Sequence, residues 1–481
     1  MSLLGCCTIW SFTPSVKVGD TVTAGDSIGT VPEGHLSHKI MLSFNWTGVY
    51  KVVWVQKGAA TIHDIVARLE DEIGGEHTLT LSQKWLVRRP LPENVLKRAL
   101  SERLYPTEPV LTSQRLIDTF FPIARGGTAC IPGPFGAGKT VLQNLIARNA
   151  KVDIVIVVAC GERAGEAVET IEEFPKMTDP TTGGSLMDRT IIICNTSSMP
   201  FAAREASIFT GITLGEYYRQ MGYDVLLIAD STSRWAQAMR ETSGELEEIP
   251  GEEGFPAYLE SSIKGLYERA GALKTNDGDF GSLTLIGTVS PAGGNFDEPV
   301  TQSNLSTVKC FLGLSYERAY KRFYPAVDPM LSWSRNTDQL SDWYDKNAEP
   351  GWTGKVRELL TLIEKGEQVV QMMQVTGEEG VTIDDFATQQ KALFVDMVYL
   401  QQDAFDKVDA TVPLERQIMT FKLVHDVAQS TAVYVDKAEA RQVFTQLTGL
   451  MKNFHYAAEN TPEYKSTWHK IENLCREKLG V

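Results

Sequence analysis

The chain has 481 residues, of which 43% are hydrophobic and 22% charged, and this composition is typical of a folded protein with several domains. Its formal net charge of −15 argues against sequence-independent nucleic-acid binding, because that affinity comes from Lys and Arg side chains that neutralise phosphates. No apolar run approaches the roughly 18 residues that a membrane-spanning helix needs, so any membrane role is expected to come through partner proteins.

Residues 1–88 are predicted to form a small β-rich domain. They contain alternating apolar stretches, VKVGDTVTAGDSIGTV and WTGVYKVVWVQKGAATI, and Gly-Asp pairs at 19–20 and 25–26 mark tight turns between short strands. The first stretch also resembles a hairpin of biotinyl or lipoyl carriers. The sequence HKIM at 38–41 is a poor match to the lysine turn of such carriers, so a carrier function is not expected.

Residues 89–345 alternate apolar runs with helix-length segments, which predicts a parallel sheet covered by helices on both faces. In such sheets ligands bind beyond the carboxyl ends of the strands. The predicted strands are TACI (128–131), DIVIVVAC (153–160), RTIIIC (189–194), DVLLIA (224–229) and LTLIGTV (283–289).

The octet GPFGAGKT at 133–140 follows the first of these strands and precedes the helical run VLQNLIARNA. It matches Gly-x-x-x-x-Gly-Lys-Thr, in which glycines let the backbone N–H groups face phosphate oxygens at a helix N-terminus. Lys139 is predicted to reach the outer phosphates, and the Thr140 hydroxyl to hold Mg²⁺. The predicted nucleotide-binding loop comprises Gly133, Pro134, Phe135, Gly136, Ala137, Gly138, Lys139, Thr140 and Val141.

Two further strand ends carry residues suited to phosphate chemistry. Glu162 and Arg163 follow the strand at 153–160, where a carboxylate can orient or deprotonate an attacking water and an arginine can contact phosphate. Asp230 ends the strand at 224–229, as expected of a carboxylate that supports the Mg²⁺ shell. Arg234 follows four residues later, and the sequence leaves open whether it contacts phosphate or pairs with an acid.

Residues 346–481 are predicted to form a helical bundle without chemistry of its own. In KVRELLTLIEKGEQVVQMM the apolar side chains recur at helical spacing, and Gly377, Gly380 and Pro413 break the later segments. The predicted domains are therefore 1–88, 89–345 and 346–481.

With these elements in order, the chain resembles the catalytic A subunit of the V-type and A-type rotary ATPases. The resemblance runs from about residue 13 to the C-terminus. Its most specific stretches are GPFGAGKT, ACGERAGE, NTSSMPFAAREASIFTGITLGEYYRQMGYDVLLIADSTSRWAQAMRE, PGEEGFPAYL and KRFYPAVDPMLSWS. It implies an α/β fold in which a RecA-like P-loop parallel sheet is preceded by a small β-rich bulge domain and followed by a helical bundle.

The resemblance also implies roles for individual residues. Lys139 and Thr140 would hold the phosphates and Mg²⁺ of ATP or ADP, and Asp230 would support the Mg²⁺ shell. Glu162 would position and activate the water, with Arg163 beside it.

Arg234 would contact the phosphates, and Phe323, Tyr324 and Phe405 would form the adenine pocket. A second arginine would come from a neighbouring B subunit. The implied assembly is an alternating A3B3 ring with central and peripheral stalks on the cytoplasmic face of a membrane, which it meets only through the ion-translocating sector.

The resemblance further implies that the chain begins inside the bulge insertion and lacks the β-barrel that A subunits carry ahead of it. One alternative is therefore a truncated or non-functional structural copy of that subunit. The others are related hexameric ATPases: an export ATPase, which should lack the insertion, or a nucleic-acid translocase, which should carry a basic oligonucleotide-binding barrel.

Overall fold

The computed structural model describes residues 8–92, 102–180 and 182–481; residues 1–7 of the predicted β-rich domain, 93–101 and Thr181 lie outside the described residues. The chain divides into two compact units. The first comprises Met1–Pro106, Arg125–Gly127 and Val152–Ile286, and the second Thr107–Ala124, Thr128–Lys151 and Gly287–Val481.

The strands, in chain order, are β1 (Trp10–Pro14), β2 (Thr21–Val22), β3 (Ser27–Glu33), β4 (Leu36–Met41), β5 (Tyr50–Val55), β6 (Gly58–Ala60), β7 (Ile65–Glu70), β8 (Glu76–Thr80), β9 (Glu102–Leu104), β10 (Thr128–Pro132), β11 (Ile154–Glu162), β12 (Thr190–Thr196), β13 (Asp224–Asp230), β14 (Gly271–Lys274), β15 (Phe280–Val289), β16 (Cys310–Phe311) and β17 (Trp333–Ser334). The five predicted strands of the parallel sheet are confirmed as β10, β11, β12, β13 and β15.

The α-helices are Lys139–Asn149, Ala164–Glu173, Phe201–Gln220, Thr232–Glu245, Leu259–Tyr267, Pro299–Thr307, Tyr316–Tyr320, Ser341–Asn347, Trp352–Thr376, Ile383–Val395, Leu414–Gln429, Lys437–Tyr456 and Pro462–Leu479. Short 3-10 or π turns are Leu116–Phe120, Phe174–Lys176, Leu186–Arg189, Glu252–Gly254, Ala292–Gly294, Glu378–Gly380 and Asp396–Leu400. The predicted helical C-terminal region is confirmed.

The first unit begins with two antiparallel four-stranded sheets, ordered β4-β3-β1-β6 and β2-β5-β7-β8. The Gly-Asp pairs make turns as predicted, because Gly19 and Gly25 take positive φ angles of 99° and 84°. The carboxylates of Asp20 and Asp26 accept hydrogen bonds from the backbone N–H groups three residues earlier, at 2.8 and 2.7 Å. Side chains that alternate along the strands fill one hydrophobic core.

The same unit contains a mainly parallel sheet in the order β12-β11-β13-β15, with β14 pairing β15 and β9 pairing β14. Strands β11 and β13 are parallel neighbours that place Ala159 opposite Asp230. Their apolar runs are continuous because both faces are covered, and Val155, Ile156 and Leu227 are fully buried.

Gly211 permits close packing of the helix Phe201–Gln220 on this sheet. A Cβ atom at that position would lie 2.4 Å from Cγ2 of Val158. We therefore expect Gly211→Ala to lower the free energy of unfolding by about 1–3 kcal/mol, measured by urea denaturation.

Adding Val158→Ala to Gly211→Ala should recover part of this loss because it removes the clashing atom. Gly449→Ala is the control: Gly449 lies at an exposed position of the helix Lys437–Tyr456 with open space around it, so Ala should be neutral or mildly stabilising. Equal effects at both glycines would contradict the packing argument.

In the second unit β10 pairs β16 in parallel, and β16 pairs β17 antiparallel. The helices after residue 341 share a core in which the rings of Trp352 and Phe421 lie 4.1 Å apart. Within the described residues, no helix combines the length and apolar character that crossing a membrane would require.

Candidate nucleotide-binding site

The phosphate-binding loop lies in the second unit, between β10 and the helix Lys139–Asn149. Gly136 and Gly138 take positive φ angles of 82° and 87°, a conformation that glycine adopts without steric cost. Gly133 is required for another reason, since a Cβ atom there would lie 2.7 Å from Cβ of Leu314. The sequence therefore builds the curled loop that the octet predicts.

The Lys139 ammonium folds back over this loop. Its Nζ donates hydrogen bonds to the backbone oxygens of Gly133 at 2.6 Å and Pro134 at 3.0 Å. The cation is thereby held at the start of a helix, where backbone N–H groups favour an anion. Thr140, next in the chain, is exposed to solvent. This geometry suits a lysine that bridges to phosphate and a hydroxyl that can reach a cation.

Two of the three aromatic residues predicted for adenine line one cavity of about 260 Å³. Tyr324 and Phe405 both border it, and the Tyr324 ring lies 3.9 Å from the position of a Cβ atom on Gly138. Phe405 is 79% exposed, so its ring is available for stacking on a base. Phe323 does not border this cavity; it packs against the Arg318 guanidinium, 4.8 Å from its ring centroid.

A second cluster lies in the first unit, at the carboxyl ends of β11 and β13. Glu162 is buried, and its Oε1 lies 3.2 Å from Nε of Arg234. Arg234 is positioned by the start of its helix, where its N–H donates to the Ser231 hydroxyl at 3.4 Å. Gly161 takes a positive φ angle of 71° and leaves room for the Arg234 side chain. A Cβ atom on Gly161 would lie only 3.2 Å from Cβ of Arg234. Of the two possibilities left open for Arg234, the structure shows the pairing with an acid.

The surroundings of the Glu162 carboxyl favour its protonated form. Burial, the negative charge of Asp230 and a hydrogen bond with Glu166 raise its pKa to about 8, while the charge of Arg234 acts in the opposite direction. A pKa near the working pH is what a group that accepts a proton from water requires.

This pKa predicts a pH-dependent contribution to stability. Because the folded-state pKa lies above that of the unfolded chain, the extra stability is fully present below about pH 4.5 and is lost as pH rises through about 8. The Gln side chain of Glu162→Gln cannot titrate. As pH rises from 5 to 9, the free energy of unfolding of this variant, measured in urea, should therefore increase by more than about 1 kcal/mol relative to that of the unsubstituted chain. The exposed Glu172→Gln should follow the unsubstituted chain. If the free energy of unfolding of Glu162→Gln and that of the unsubstituted chain changed in parallel with pH, the raised pKa would be contradicted.

The two remaining predicted residues lie next to this cluster. Asp230 is the last residue of β13 and is half-buried, and its charge acts on Glu162. Arg163 follows Glu162 directly and is exposed at the start of the helix Ala164–Glu173.

Sequence reasoning missed Glu166 and Arg204. Glu166 hydrogen-bonds the Glu162 carboxyl from the helix Ala164–Glu173, and because Glu162 ends a strand, helical spacing gave no signal for this contact. Arg204 is buried, pairs with Glu241 and donates to the backbone oxygen of Met199 at 3.2 Å. Its Cδ lies 3.5 Å from a Cβ position on Gly161, so it packs beside Arg234. Arg204 lies within the stretch that begins NTSSMPFAARE, but its position in the sequence does not indicate that it packs near the candidate site.

The described residues contain no group of three or more His, Cys, Asp or Glu side chains that would hold a metal ion by themselves. The residues predicted for Mg²⁺ are a hydroxyl and a single carboxylate. Such a set suits Mg²⁺ bound together with a nucleotide, because that ion takes few protein ligands and the rest from phosphate and water.

Three family models match the chain. Residues 113–334 match "ATP synthase alpha/beta family, nucleotide-binding domain". Residues 4–88 match "ATPsynthase alpha/beta subunit barrel-sandwich domain", and residues 341–442 match "C-terminal domain of V and A type ATP synthase".

Relatives match over nearly the whole chain. A V-type ATP synthase alpha chain from Treponema pallidum is 53% identical over 95% of this chain and 74% of its own length. Another from Treponema denticola is 52% identical over 98% of this chain and 77% of its own length.

Among solved structures, an ATP synthase subunit from Nanoarchaeum equitans is similar with a TM-score of 0.60 and 23% identity, covering 68% of this chain and 78% of that one. An ATPase from a bacterial type III secretion system has a TM-score of 0.58 and 24% identity, covering 73% and 95%. These two likenesses support the fold. The chain belongs to the ATP synthase alpha/beta family, among the V-type ATP synthase alpha chains.

Proposed function

We propose that the chain is the catalytic A subunit of a V-type or A-type rotary ATPase. It hydrolyses ATP, or in reverse synthesises it, at an interface with a B subunit, and the reaction is coupled to transport of protons or sodium ions across a membrane. The observation that carries the proposal is Glu162, a buried carboxyl at a strand end with a pKa near 8 and an arginine beside it. Carboxyls with strongly raised pKa values cluster at catalytic sites, which favours a catalytic subunit over a structural copy.

In the proposed reaction, Lys139 and the loop N–H groups bind the phosphates of ATP. Thr140 and Asp230 would hold Mg²⁺, which when bound neutralises charge on the phosphate oxygens. Glu162 in its deprotonated form accepts a proton from water as the water oxygen bonds to the terminal phosphorus. The bond between that phosphorus and the bridging oxygen breaks, and ADP leaves with the bond's electron pair.

Arginines stabilise the charge that develops on the phosphoryl group. Arg163 and Arg234 are proposed for this role, together with one arginine from the neighbouring B subunit. Arg234 would exchange its pairing with Glu162 for phosphate, which would also leave the Glu162 carboxylate freer to accept a proton.

Adenine is proposed to enter the cavity bordered by Tyr324 and Phe405 and to stack on these rings. Phe323 is proposed to contribute to this pocket as well. Reaching a base there would require it to leave the Arg318 guanidinium on which it packs.

The proposed assembly is an alternating A3B3 ring with central and peripheral stalks, peripheral on the cytoplasmic face of a membrane. The match of residues 341–442 to the C-terminal domain of V and A type ATP synthases favours this assembly over an export ATPase.

The test is ATP hydrolysis by the chain mixed with its cognate B subunit, with and without Mg²⁺. We expect Mg²⁺-dependent phosphate release from the mixture and little from either subunit alone, because each site needs an arginine from the neighbour. Equal hydrolysis by the chain without the B subunit would contradict an interfacial site.

A further inference from the structure

The cavity beside Tyr324 and Phe405 lies between two segments of the second unit, here called its wall segments. The first wall segment comprises residues 322–324 and the second residues 396–405. They meet where the N–H of Gln402 donates a hydrogen bond to the backbone oxygen of Tyr324 at 2.6 Å. Because each wall segment carries one of the two aromatic rings, their spacing sets the width of the gap that a base would enter.

An ion pair ties the short helix that precedes the first wall segment to the start of the second. Arg318, on the helix Tyr316–Tyr320, donates from Nη1 to Oδ2 of Asp396 at 3.0 Å and from Nη2 to Oδ1 at 2.6 Å. Only 14% and 18% of these two side chains are exposed, and neither borders the cavity. A two-pronged pair of this kind fixes both distance and orientation, and water and salt screen it less than an exposed pair.

Each member of this pair also holds a residue next to the gap. The Arg318 guanidinium packs on the ring of Phe323, 4.8 Å from its centroid, and the Phe323 N–H donates to the Arg318 backbone oxygen at 2.9 Å. On the other side, the backbone oxygen of Asp396 accepts from the N–H of Gln401 at 3.0 Å. Phe323 directly precedes Tyr324 in the chain. A shift of the ion pair would therefore move the Tyr324 ring.

We propose that Arg318 and Asp396 are positioning residues for the adenine pocket. Their pairing holds the two wall segments at the spacing in which Tyr324 and Phe405 stack on the base, and neither side chain contacts the nucleotide. The proposal rests on the proposed function, because it assumes that adenine enters this cavity. While Phe323 stays on Arg318, it contributes to the pocket by holding Tyr324 rather than by contacting the base.

The pair acts by pre-organisation. A pocket whose walls already lie at the stacking distance loses less conformational entropy when the base enters, so it binds the base more tightly than a pocket whose walls must first be ordered. Without the ion pair, the hydrogen bond from Gln402 to Tyr324 would still join the wall segments. We therefore expect loss of the pair to loosen the pocket rather than to unfold the chain.

The test is a double-mutant cycle on the affinity for ADP, measured by calorimetry with the chain assembled with its B subunit. Arg318→Met and Asp396→Asn are each expected to weaken ADP binding about fivefold or more in the otherwise unsubstituted protein. In Tyr324→Leu, one wall of the gap lacks its ring. Adding either substitution to that variant should weaken ADP binding by no more than about twofold.

The kinetics of ATP hydrolysis give a second readout. Arg318→Met should raise KM about fivefold or more and leave kcat within about twofold, because the pair contacts none of the residues proposed to bind phosphate or activate water. The control is Arg357→Met, which removes an exposed ion pair with Asp338 in the same unit. It should change neither the affinity for ADP nor KM.

The outcomes distinguish this proposal from the proposed function. Unchanged ADP affinity in both Arg318→Met and Asp396→Asn would overturn the positioning role, and so would equal weakening with and without the Tyr324 ring. Unchanged ADP affinity in Tyr324→Leu itself would also overturn it, while nucleotide binding stands. Failure of the unsubstituted protein to bind ADP would overturn the proposed function, and this proposal with it. Asp396→Asn keeps the shape of the side chain, so it decides the question even if Arg318→Met fails to fold.

Discussion

Glu162→Gln is expected to reduce ATP hydrolysis by about a hundredfold to ten-thousandfold while nucleotide binding persists. Gln has nearly the same shape but cannot accept a proton from water. It also removes the carboxylate that faces Arg234 at 3.2 Å. The measurement is steady-state phosphate release by the complex with the B subunit, combined with a titration of ADP.

The matched control is Glu172→Gln, which makes the same chemical change at an exposed position on the helix that follows Glu162. It should hydrolyse ATP at the unsubstituted rate. Retention of hydrolysis within about tenfold in Glu162→Gln would mean that another group accepts the proton, and the proposed mechanism would be wrong.

Lys139→Ala is expected to weaken nucleotide binding by at least about tenfold and to reduce hydrolysis by at least about a thousandfold. The ammonium is the cation that the loop itself holds, through hydrogen bonds to the Gly133 and Pro134 oxygens. Lys139→Arg should recover little activity, because a planar guanidinium cannot take the place of a compact ammonium in so tight a loop. Nucleotide titration and phosphate release measure the two effects.

Lys151→Ala is the control for the loss of one positive charge, since Lys151 is exposed and lies beyond the end of the same helix. It should leave both readouts unchanged. Thermal unfolding of Lys139→Ala should stay close to that of the unsubstituted chain. If it falls steeply instead, the lost activity would reflect loss of structure rather than loss of a phosphate contact.

Local sequence was enough to predict the local structure in which the candidate site residues lie. The glycine spacing of the octet predicts its curled loop, because glycine alone takes the positive φ angles found at Gly136 and Gly138 without cost. Continuous apolar runs predict buried parallel strands, and Glu162 and Asp230 end two of them as expected. The periodicity of the C-terminal region likewise predicts its helices.

The partners of these residues were decided by tertiary structure. Arg234 could pair with an acid or face phosphate, and the register of β11 beside β13 together with the room at Gly161 brings it to Glu162. Phe323 and Tyr324 are adjacent in the chain, yet only Tyr324 borders the cavity. The division of the β-rich domain into two sheets could not be predicted from the sequence either, because strand pairing depends on hydrogen bonds between distant segments.

The physical reason is the range of the forces involved. Glycine conformation, side-chain alternation and helical periodicity are local, so the sequence by itself determined the loop, the strand ends and the helical region. The pKa of Glu162 and the packing of Arg204 beside Arg234 depend on burial and on which segments meet. Those contacts exist only once the chain has folded, and the tertiary structure alone decided them.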